Sequence, residues 1–431
     1  MAKRFLKSKT HRFYYDNASG KRKSYVLIFG DEIKTLTGQG PSGAEWKKVE
    51  YRGRRGEMED PPLTGKRSLE MYFLDVGQGD AAFIVTPNNT KILVDGGLRN
   101  RALGFLVWKY RLDNPTNNVI IDHLILSHGD EDHVGGLIPI LDHPQIKINN
   151  IYHNGIAIFS SGFNTELGHT TTAKKLTTLH DSTSDLDGEN LTETFGNWIK
   201  SVKSSGATYQ AVDSSMGPLD LGDPAITIEF IGPLLEADGQ SLKWFSDKSH
   251  TINGHSVVFR LIYDQVHVLF SGDLNVKGSK HLLADATVSR KLNAHVFKSP
   301  HHGSHEYHQP FLNMVNPMIT IVSSGDSPDH GHPRAQFLGG IGLAGRSKKP
   351  LLFSTEIAAT FIDAGDKAIV DTDSVTNDLS DIDFSKANAN VDAHRLFKKS
   401  LPGIINIRTD GKHIYAARRV QACLLYTSPS P

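Results

Sequence analysis

Residues 128–133 carry four side chains that can bind a metal ion: His128, Asp130, Asp132 and His133. They directly follow the apolar run 119–127, which is rich in branched residues and too short to favour a helix. The run therefore predicts a buried strand, with the four side chains on the loop at its end, where a rigid scaffold can aim them into a cleft. Burying this many charges would be costly, and a pair of divalent cations would offset them.

Two later segments repeat this arrangement of a strand followed by metal-binding residue types. The apolar run 266–271 leads through a glycine into Asp273. The run 296–299 leads through a proline into His301 and His302. Because three predicted strands each deliver such residues just after their last apolar position, we expect these side chains to converge on one site.

These motifs occur in an order that is typical of the metallo-β-lactamase superfamily. The set comprises Leu-Asp-Val-Gly-Gln-Gly-Asp-Ala at 74–81, Ile-Leu-Val-Asp-Gly-Gly at 92–97, the loop 127–136, Ser-Gly-Asp at 271–273, His-His-Gly-Ser at 301–304 and Gly-His-Pro at 331–333. The chain resembles this superfamily over about residues 70–335. It is more narrowly similar to the variant with Asp at the second ligand position, as in the metallo-hydrolase domain of the DNA-uptake channel protein ComEC. The resemblance implies an α/β fold, the four-layer αββα sandwich.

The resemblance also implies a ligand set for two divalent metal ions. His128 and Asp130 would bind the first ion, Asp132 and His133 the second, with Asp273 bridging both and His302 completing the second site. Two cations about 3.5–4 Å apart can share a hydroxide, lower the pKa of that water towards ~7 and align an in-line attack. In most members of the superfamily, a second His occupies the position of Asp130. Because a carboxylate oxygen is a harder ligand than imidazole nitrogen, we expect either Zn²⁺ or Mn²⁺ rather than Zn²⁺ alone.

Several further residues have roles that the sequence leaves open. His255 is either the missing third ligand of the first ion or a polar turn residue. With Asp132, two histidines are candidate catalytic residues, since His301 and His332 could contact the substrate or protonate a leaving group. Asp80 and Asp95 are interpreted as carboxylates that orient ligand histidines, the alternative being simple turn formation.

The chain divides into three predicted parts. Residues 1–66 form a basic β module and linker, in which strand-like 25–33 and 45–53 are similar to a bacterial SH3-like barrel. Residues 67–420 form the hydrolase domain, with the polar range 155–205 as an insertion, either a lid over the site or a surface excursion. Residues 421–431 are predicted to be an unstructured tail that resembles translated adaptor sequence.

Composition narrows the function classes. The net charge is zero, but residues 1–67 hold 16 Lys and Arg against 8 Asp and Glu, whereas the rest hold 31 against 39. Such asymmetry marks either a module that meets an anionic partner or a solvated basic surface. The single cysteine, Cys423, excludes disulfides, and no stretch approaches the ~20 apolar residues of a membrane span. We expect a cytoplasmic protein without membrane insertion.

The favoured function is a two-metal phosphodiesterase or nuclease that uses a metal-bridging hydroxide. Its expected partner is a phosphodiester substrate, either DNA or another nucleic acid. The alternative within the same chemistry is hydrolysis of a carboxylic ester, lactone or thioester, which the fold by itself does not exclude. A non-catalytic SH3-like adaptor is the third hypothesis, and it would require loss of metal ligands.

Overall fold

The structure, a computed structural model, describes residues 2–325, 331–347, 349–355 and 403–420. The predicted tail 421–431 lies outside the described residues. Among the helices within these ranges, none is both long and apolar enough to cross a membrane.

The N-terminal part is an antiparallel sheet with its own small core. Its strands are β1 Ala2–Leu6, β2 Thr10–Asp16, β3 Arg22–Ile28, β4 Glu32–Gly40, β5 Gly43–Tyr51, β6 Arg54–Glu59 and β7 Leu63–Thr64, in the order β3-β2-β6-β5-β4-β1-β7. The predicted strand 25–33 is split between β3 and β4 by a turn at Gly30, whose φ is +80°. The buried core consists of Leu6, Phe13, Leu27, Ile33, Val49 and Met58. This part is all-β as predicted, and its likeness to SH3 domains stays a prediction.

The rest of the described chain is built on two larger sheets. The strands of the first are β8 Leu69–Phe73, β9 Ala82–Val85, β10 Lys91–Val94, β11 Val119–Ile125, β12 Ile146–His153, β14 Thr208–Ala211, β22 Gly403–Thr409 and β23 Ile414–Val420, in the order β14-β12-β11-β10-β9-β8-β22-β23. The strands of the second are β15 Ile226–Gly232, β17 Val258–Tyr263, β18 Val266–Phe270, β19 Val296–Lys298, β20 Ile319–Val322 and β21 Leu351–Ser354, in the order β15-β17-β18-β19-β20-β21. A separate short pair joins β13 Lys175–Leu176 to β16 Leu242–Lys243.

Helices cover the outer faces of both sheets. They are α1 Arg101–Tyr110, α2 Glu131–Val134, α3 Ile138–Leu141, α4 Glu193–Ser205, α5 Lys248–Gly254, α6 Val276–Ala284, α7 Ala286–Ser289, α8 Gln309–Val315 and α9 Ala335–Ala344. Short 3₁₀ turns lie at Gly135–Leu137, Thr183–Leu186 and His301–Gly303. Buried residues of α1 and α4 join the core on the eight-stranded sheet, and those of α6, α8 and α9 join the core on the six-stranded sheet. This mixed α/β arrangement agrees with the expected four layers.

Alternation along the strands explains why the layers stack in this way. Successive residues of β8 point to opposite faces of the sheet. Phe73 therefore faces the second sheet, where its ring stacks on Phe270 with centroids 5.7 Å apart. Tyr72 faces outwards, and its ring lies 5.3 Å from that of Phe105 on α1. Fully burying each large apolar side chain contributes roughly 1.5–3 kcal/mol to stability.

The range 155–205 contains a helix, α4, that is part of the core and not of a surface insertion. Helix α4 connects the parallel strands β12 and β14 and buries Phe195, Trp198, Ile199 and Val202. This spacing places all four side chains on one helical face. The helix is therefore a crossover helix that belongs to the core. The insertion predicted over 155–205 is thereby limited to the residues before α4. The strands β22 and β23 pair antiparallel as a hairpin.

A buried arginine joins the N-terminal sheet to the eight-stranded sheet. Arg408 of β22 donates from Nη2 to Asp31 Oδ1 at 2.9 Å and from Nη1 to the carbonyl oxygen of Phe29 at 2.5 Å. The ring of Phe29 also stacks on Tyr415 of β23, with centroids 4.1 Å apart. The hydrogen bonds fix the guanidinium against the turn that precedes β4.

A second arginine extends this contact. Arg67 donates to Glu32 Oε2 at 2.5 Å and to Glu70 Oε1 at 2.7 Å, so that it bridges the two parts of the chain. Lys109 Nζ lies 3.7 Å from the other oxygen of Glu70. We name Asp31, Glu32, Arg67, Glu70, Lys109 and Arg408 the interface cluster.

Candidate metal centre

Four strands deliver the candidate ligands and their neighbours to one place. Asp95 follows β10 and His128 follows β11, and these two strands pair in parallel. Asp273 follows β18 and His302 follows β19, which also pair in parallel. Because the carboxyl ends of parallel neighbours meet at the same edge of a sheet, each sheet contributes ligands at one edge. We name His128, Asp130, Asp132, His133, Asp273 and His302 the metal centre.

The loop before β9 closes tightly over the residues after β11. Gly79 has φ +108°, and a Cβ at this position would lie 2.0 Å from the carbonyl oxygen of Asp132. Only glycine allows that approach without moving the backbone. The main-chain N–H of Asp80 then donates to the same oxygen at 3.3 Å. The glycine of this motif thus sets Asp80 beside the metal centre.

Asp273 lies between two histidines. Its Oδ1 is 3.3 Å from His133 Nε2, and its Oδ2 is 3.1 Å from His302 Nε2. Asp132 faces the same two rings, with Oδ2 3.3 Å from His302 Nε2 and Oδ1 3.8 Å from His133 Nε2. The structure therefore brings together all four side chains assigned to the second ion and to the bridge.

His128 and Asp130 form the other side of the centre. His128 is fully buried, and its Nε2 is 3.5 Å from Asp130 Oδ2. Ligand atoms of His128, His133 and Asp273 lie within 4.8 Å of one another. The Asp130 side chain is 37% exposed, so it borders solvent.

The pattern of hydrogen bonds within these residues fits metal ligands. The buried Nε2 atoms of the three histidines of the metal centre, His128, His133 and His302, have no hydrogen-bond partner of suitable geometry among the residues that the structure describes. Their Nδ1 atoms are held instead, with His133 against Asp95 Oδ2 at 3.0 Å and His302 against the Ser323 carbonyl oxygen at 3.1 Å. A ligand histidine is typically fixed through one ring nitrogen while the other faces the ion. The donor set therefore suits divalent cations.

Asp95 and Asp80 contact these histidines from behind. Asp95 has φ +54° and accepts hydrogen bonds from the Ser127 main-chain N–H at 2.7 Å as well as from the His133 ring. Asp80 Oδ1 lies 3.3 Å from His302 Nδ1, and its Oδ2 contacts Lys298 Nζ. Both carboxylates are placed where they can orient a ligand histidine.

The electrostatics of the centre favour cations. Burial by itself lowers the pKa of His133, but the nearby carboxylates of Asp273, Asp132 and Asp95 outweigh burial and raise it well above its usual value. Burial likewise opposes ionisation of Asp273, yet His302 and His133 hold its pKa well below the usual value. Positive charge is thus stabilised between these carboxylates, whether a proton or a metal ion carries it.

His301 and His332 lie at the side of the centre. Residues 301–303 have φ values of +45°, +52° and +78°, a left-handed stretch that is costly for the two histidines. The resulting turn separates the neighbouring rings, whose planes are inclined by 73°. His301 Nε2 lies 4.0 Å from Asp273 Oδ2, and the His332 ring is 5.9 Å from that of His301. Both candidate catalytic histidines are therefore near the ligands.

The structure does not bring His255 into the metal centre. Its Nε2 donates to the carbonyl oxygen of Lys243 at 2.7 Å, and its ring stacks on Phe245 with centroids 4.7 Å apart. Burial lowers the pKa of His255 to about 4. Of the two interpretations that the sequence left open, the geometry agrees with a hydrogen-bonded histidine.

Three residues near the centre were not identified from the sequence. Ser127 Oγ lies 3.0 Å from His128 Nδ1 and 3.2 Å from His133 Nδ1. Ser256 Oγ accepts the main-chain N–H of Asp273 at 3.0 Å. Lys298 is buried against Asp80. Nothing in the sequence distinguishes these two serines from other serines. Lys298, in contrast, is a charged residue within a predicted apolar strand, and this could have identified it as a functional residue.

Comparisons with known proteins give one family match and several distant structural ones. A model of the metallo-β-lactamase superfamily matches residues 74–317. The metallo-β-lactamase SMB-1 bound to 2-mercaptoethanesulfonate is 13% identical over 53% of this chain and 79% of its own, with a TM-score of 0.27. Zn²⁺-bound PqqB from Methylobacterium extorquens is 8% identical over 55% and 73%, with a TM-score of 0.31. No curated protein sequence matches the chain.

The family match includes the whole metal centre and the strands that position it. It extends over more than half of the 431 residues and contains every residue of the centre. The narrower resemblance to ComEC-type domains stays a prediction. The chain therefore belongs to the metallo-β-lactamase superfamily, and this membership implies a metal-dependent hydrolase.

Proposed function

We propose that the chain is a phosphodiesterase that works with two divalent metal ions. The observation that carries the proposal is the position of Asp273, whose two oxygens face His133 and His302 separately at 3.3 and 3.1 Å. A carboxylate that meets two ligand groups at once is suited to bridge two ions. Paired ions suit a phosphodiester because they can stabilise both the attacking and the leaving oxygen.

Each ligand has a place in this proposal. His128 and Asp130 would hold the first ion, and Asp132, His133 and His302 the second, with Asp273 shared. When bound, the ions supply a water of lowered pKa and positive charge for the phosphoryl oxygens. The carboxylate oxygen of Asp130 favours Mn²⁺ beside Zn²⁺, because it is a harder ligand than imidazole.

The remaining residues act on orientation and on the substrate. Asp95 orients the ring of His133, and the Ser323 carbonyl oxygen with Asp80 orients that of His302, so that each Nε2 would be available to an ion. We assign to His301 and His332 contact with the substrate oxygens. The His301 side chain is 25% exposed, so part of its ring is accessible to a substrate.

We further propose that the substrate is a nucleic acid. The excess of basic residues in 1–67 supports this, because phosphate contacts by Lys and Arg dominate affinity for nucleic acid. Hydrolysis of a carboxylic ester, lactone or thioester is the competing activity, since the same water could attack carbon. A protein that binds metal but hydrolyses nothing would agree with the adaptor hypothesis.

A substrate panel separates these activities. Purified protein loaded with Mn²⁺ or Zn²⁺ would be assayed on bis-p-nitrophenyl phosphate, single- and double-stranded DNA, RNA, a lactone and a thioester. We expect hydrolysis of the diester and of at least one nucleic acid, and loss of both activities after chelation. Turnover of the lactone or thioester with none of the diester would contradict the phosphodiesterase proposal.

Charge-removal variants test the nucleic-acid partner. Replacing the exposed Lys21, Lys23 and Lys48 by Gln should weaken DNA binding and flatten the dependence of log affinity on log salt by about 1 per lost phosphate contact. The matched control replaces three exposed lysines of the hydrolase part: Lys147, Lys200 and Lys280. Equal salt slopes for the two triple variants would show that the basic module does not contact nucleic acid. Turnover of the small diester should be unchanged in both.

A further inference from the structure

Lys298 occupies a position where the fold calls for an apolar side chain. It is the last residue of β19, two positions after Val296, and alternation places both on the face between the two sheets. Its side chain is only 4% exposed. A buried ammonium is costly to desolvate, and an apolar residue at this point would serve packing better. Charged residues at positions that packing would make apolar are expected mainly at functional sites.

The partner of Lys298 is Asp80, which is itself buried. Lys298 Nζ contacts Asp80 Oδ2, while Asp80 Oδ1 lies 3.3 Å from His302 Nδ1. A chain of three side chains thus runs from the strand to the ligand histidine. The pair borders a small cavity between the sheets, lined by polar Asp95 and Ser323 and by the rings of Phe73, Phe259 and Phe270.

We propose that Lys298 is a positioning residue that acts on the second metal ion through Asp80 and His302. Its ammonium compensates the buried carboxylate of Asp80 and fixes that carboxylate against the back of the His302 ring. Together with the Ser323 carbonyl oxygen, which lies 3.1 Å from Nδ1, this carboxylate keeps the ring with Nε2 towards Asp273 and Asp132, at 3.1 and 3.3 Å. This inference rests on the proposed two-ion function and adds a residue to it.

The test is Lys298→Met, which keeps the length of the side chain and removes its charge. We expect affinity for one of two bound ions to fall 10–100-fold, the range typical for partners of ligand residues, with the other ion unaffected. Competition with a chelating dye measures both affinities, and elemental analysis measures the number of ions. Unchanged affinity for both ions would overturn the proposal and leave Lys298 a structural residue.

Two further variants identify the route. If Lys298 acts through Asp80, Lys298→Met added to Asp80→Asn should not weaken metal binding beyond Asp80→Asn alone, and an additive loss would overturn the route. Asp80→Asn and the double variant also keep the proposal testable if Lys298→Met alone does not fold, because the double variant removes both buried charges.

Lys109→Met is the matched control. Lys109 is paired with buried Glu70 at 3.7 Å in the interface cluster. Its loss should lower thermal stability without changing either metal affinity, as expected for an ion pair with a purely structural role. If wild-type protein binds fewer than two ions, the proposed function fails together with this inference. If the wild type binds two ions and Lys298→Met binds them equally well, only this inference fails.

Discussion

The interface cluster and the metal centre are both largely buried groups of charged side chains, and they differ in the balance of charge. In the interface cluster, three carboxylates of Asp31, Glu32 and Glu70 meet three cations of Arg67, Lys109 and Arg408. In the metal centre, the carboxylates of Asp130, Asp132 and Asp273 face histidines and no Lys or Arg among the described residues, and the Nε2 atoms of those histidines have no hydrogen-bond partner of suitable geometry there. Where cationic side chains balance the buried carboxylates, no ion is required. Where they do not, bound cations would stabilise the carboxylates.

This difference gives a physical criterion for a site. Burial of charge alone does not distinguish the two clusters, because both lie within the fold. The criterion is whether the buried charges find opposite charges and hydrogen bonds inside the protein. By that criterion, substitutions in the metal centre should change how much added metal stabilises the protein. Substitutions in the interface cluster should change the stability of the metal-free protein.

The largest effect is expected for Asp132→Asn. This change removes a charged ligand from the metal centre and keeps its size. Loss of several kcal/mol of charge stabilisation by an ion corresponds to about a thousandfold lower kcat on the diester. The rise in Tm on adding metal to chelated protein should shrink, because that rise reflects binding to the folded state. Normal turnover with a full complement of metal would contradict the assignment of Asp132 as a ligand.

Arg408→Met should give the next largest effect, and on stability alone. It leaves Asp31 buried without its cation, and breaking one side of a buried ion pair typically costs about 3–5 kcal/mol. Urea denaturation of chelated protein measures this loss, while the Tm rise on adding metal should be unchanged. Arg111→Met is the control, since its pair with Asp113 is 57% exposed on both sides and such exposed pairs contribute little to stability.

A smaller, pH-dependent effect is expected for Glu70→Gln. Burial raises the pKa of Glu70, but Lys109, Arg408 and Arg67 outweigh it and lower the pKa from 4.5 to about 2. Because the folded pKa is the lower one, the ionised carboxylate stabilises the fold above pH 4.5, and this contribution disappears as pH falls towards 2. The shift corresponds to about 3 kcal/mol.

The measurement compares unfolding free energies of wild type and Glu70→Gln at pH 7, 4 and 3. The difference between the two proteins should narrow as the pH falls. A difference that stays constant would mean that Glu70 does not carry its charge in the folded protein, and the balance described for the interface cluster would then be incorrect.

The metal centre could be predicted from sequence because its residues have a local signature. His128, Asp273 and His302 each follow an apolar strand, and parallel strands necessarily bring their carboxyl ends together. Neither the third ligand of the first ion nor the true neighbours of His255 could be predicted in this way. The neighbours of His255 depend on where α5 packs, because His255 directly follows that helix, and no periodic pattern encodes this packing.

Arg408 and Lys298 show the limit of pattern-based prediction. In β22, Ile405 and Ile407 face the second sheet, and Arg408 points the other way, where a half-buried strand normally meets water. The N-terminal sheet covers that side, so Arg408 is buried by residues 377 positions earlier in the chain. Lys298 is the reverse case, a polar residue on the apolar face, whose partner Asp80 lies in the loop between β8 and β9 of the other sheet.

The contact between Arg408 and Asp31 has a consequence for synthesis of the chain. The ribosome must complete β22 before Asp31 meets its partner and before β8 gains its second neighbour in the sheet. Until then the nascent N-terminal part presents an unpaired carboxylate and β8 an open edge, which is a site for mispairing. Contacts of such long sequence separation also slow folding. Chains released before residue 403 should therefore be prone to aggregation, even though they already contain every residue of the metal centre.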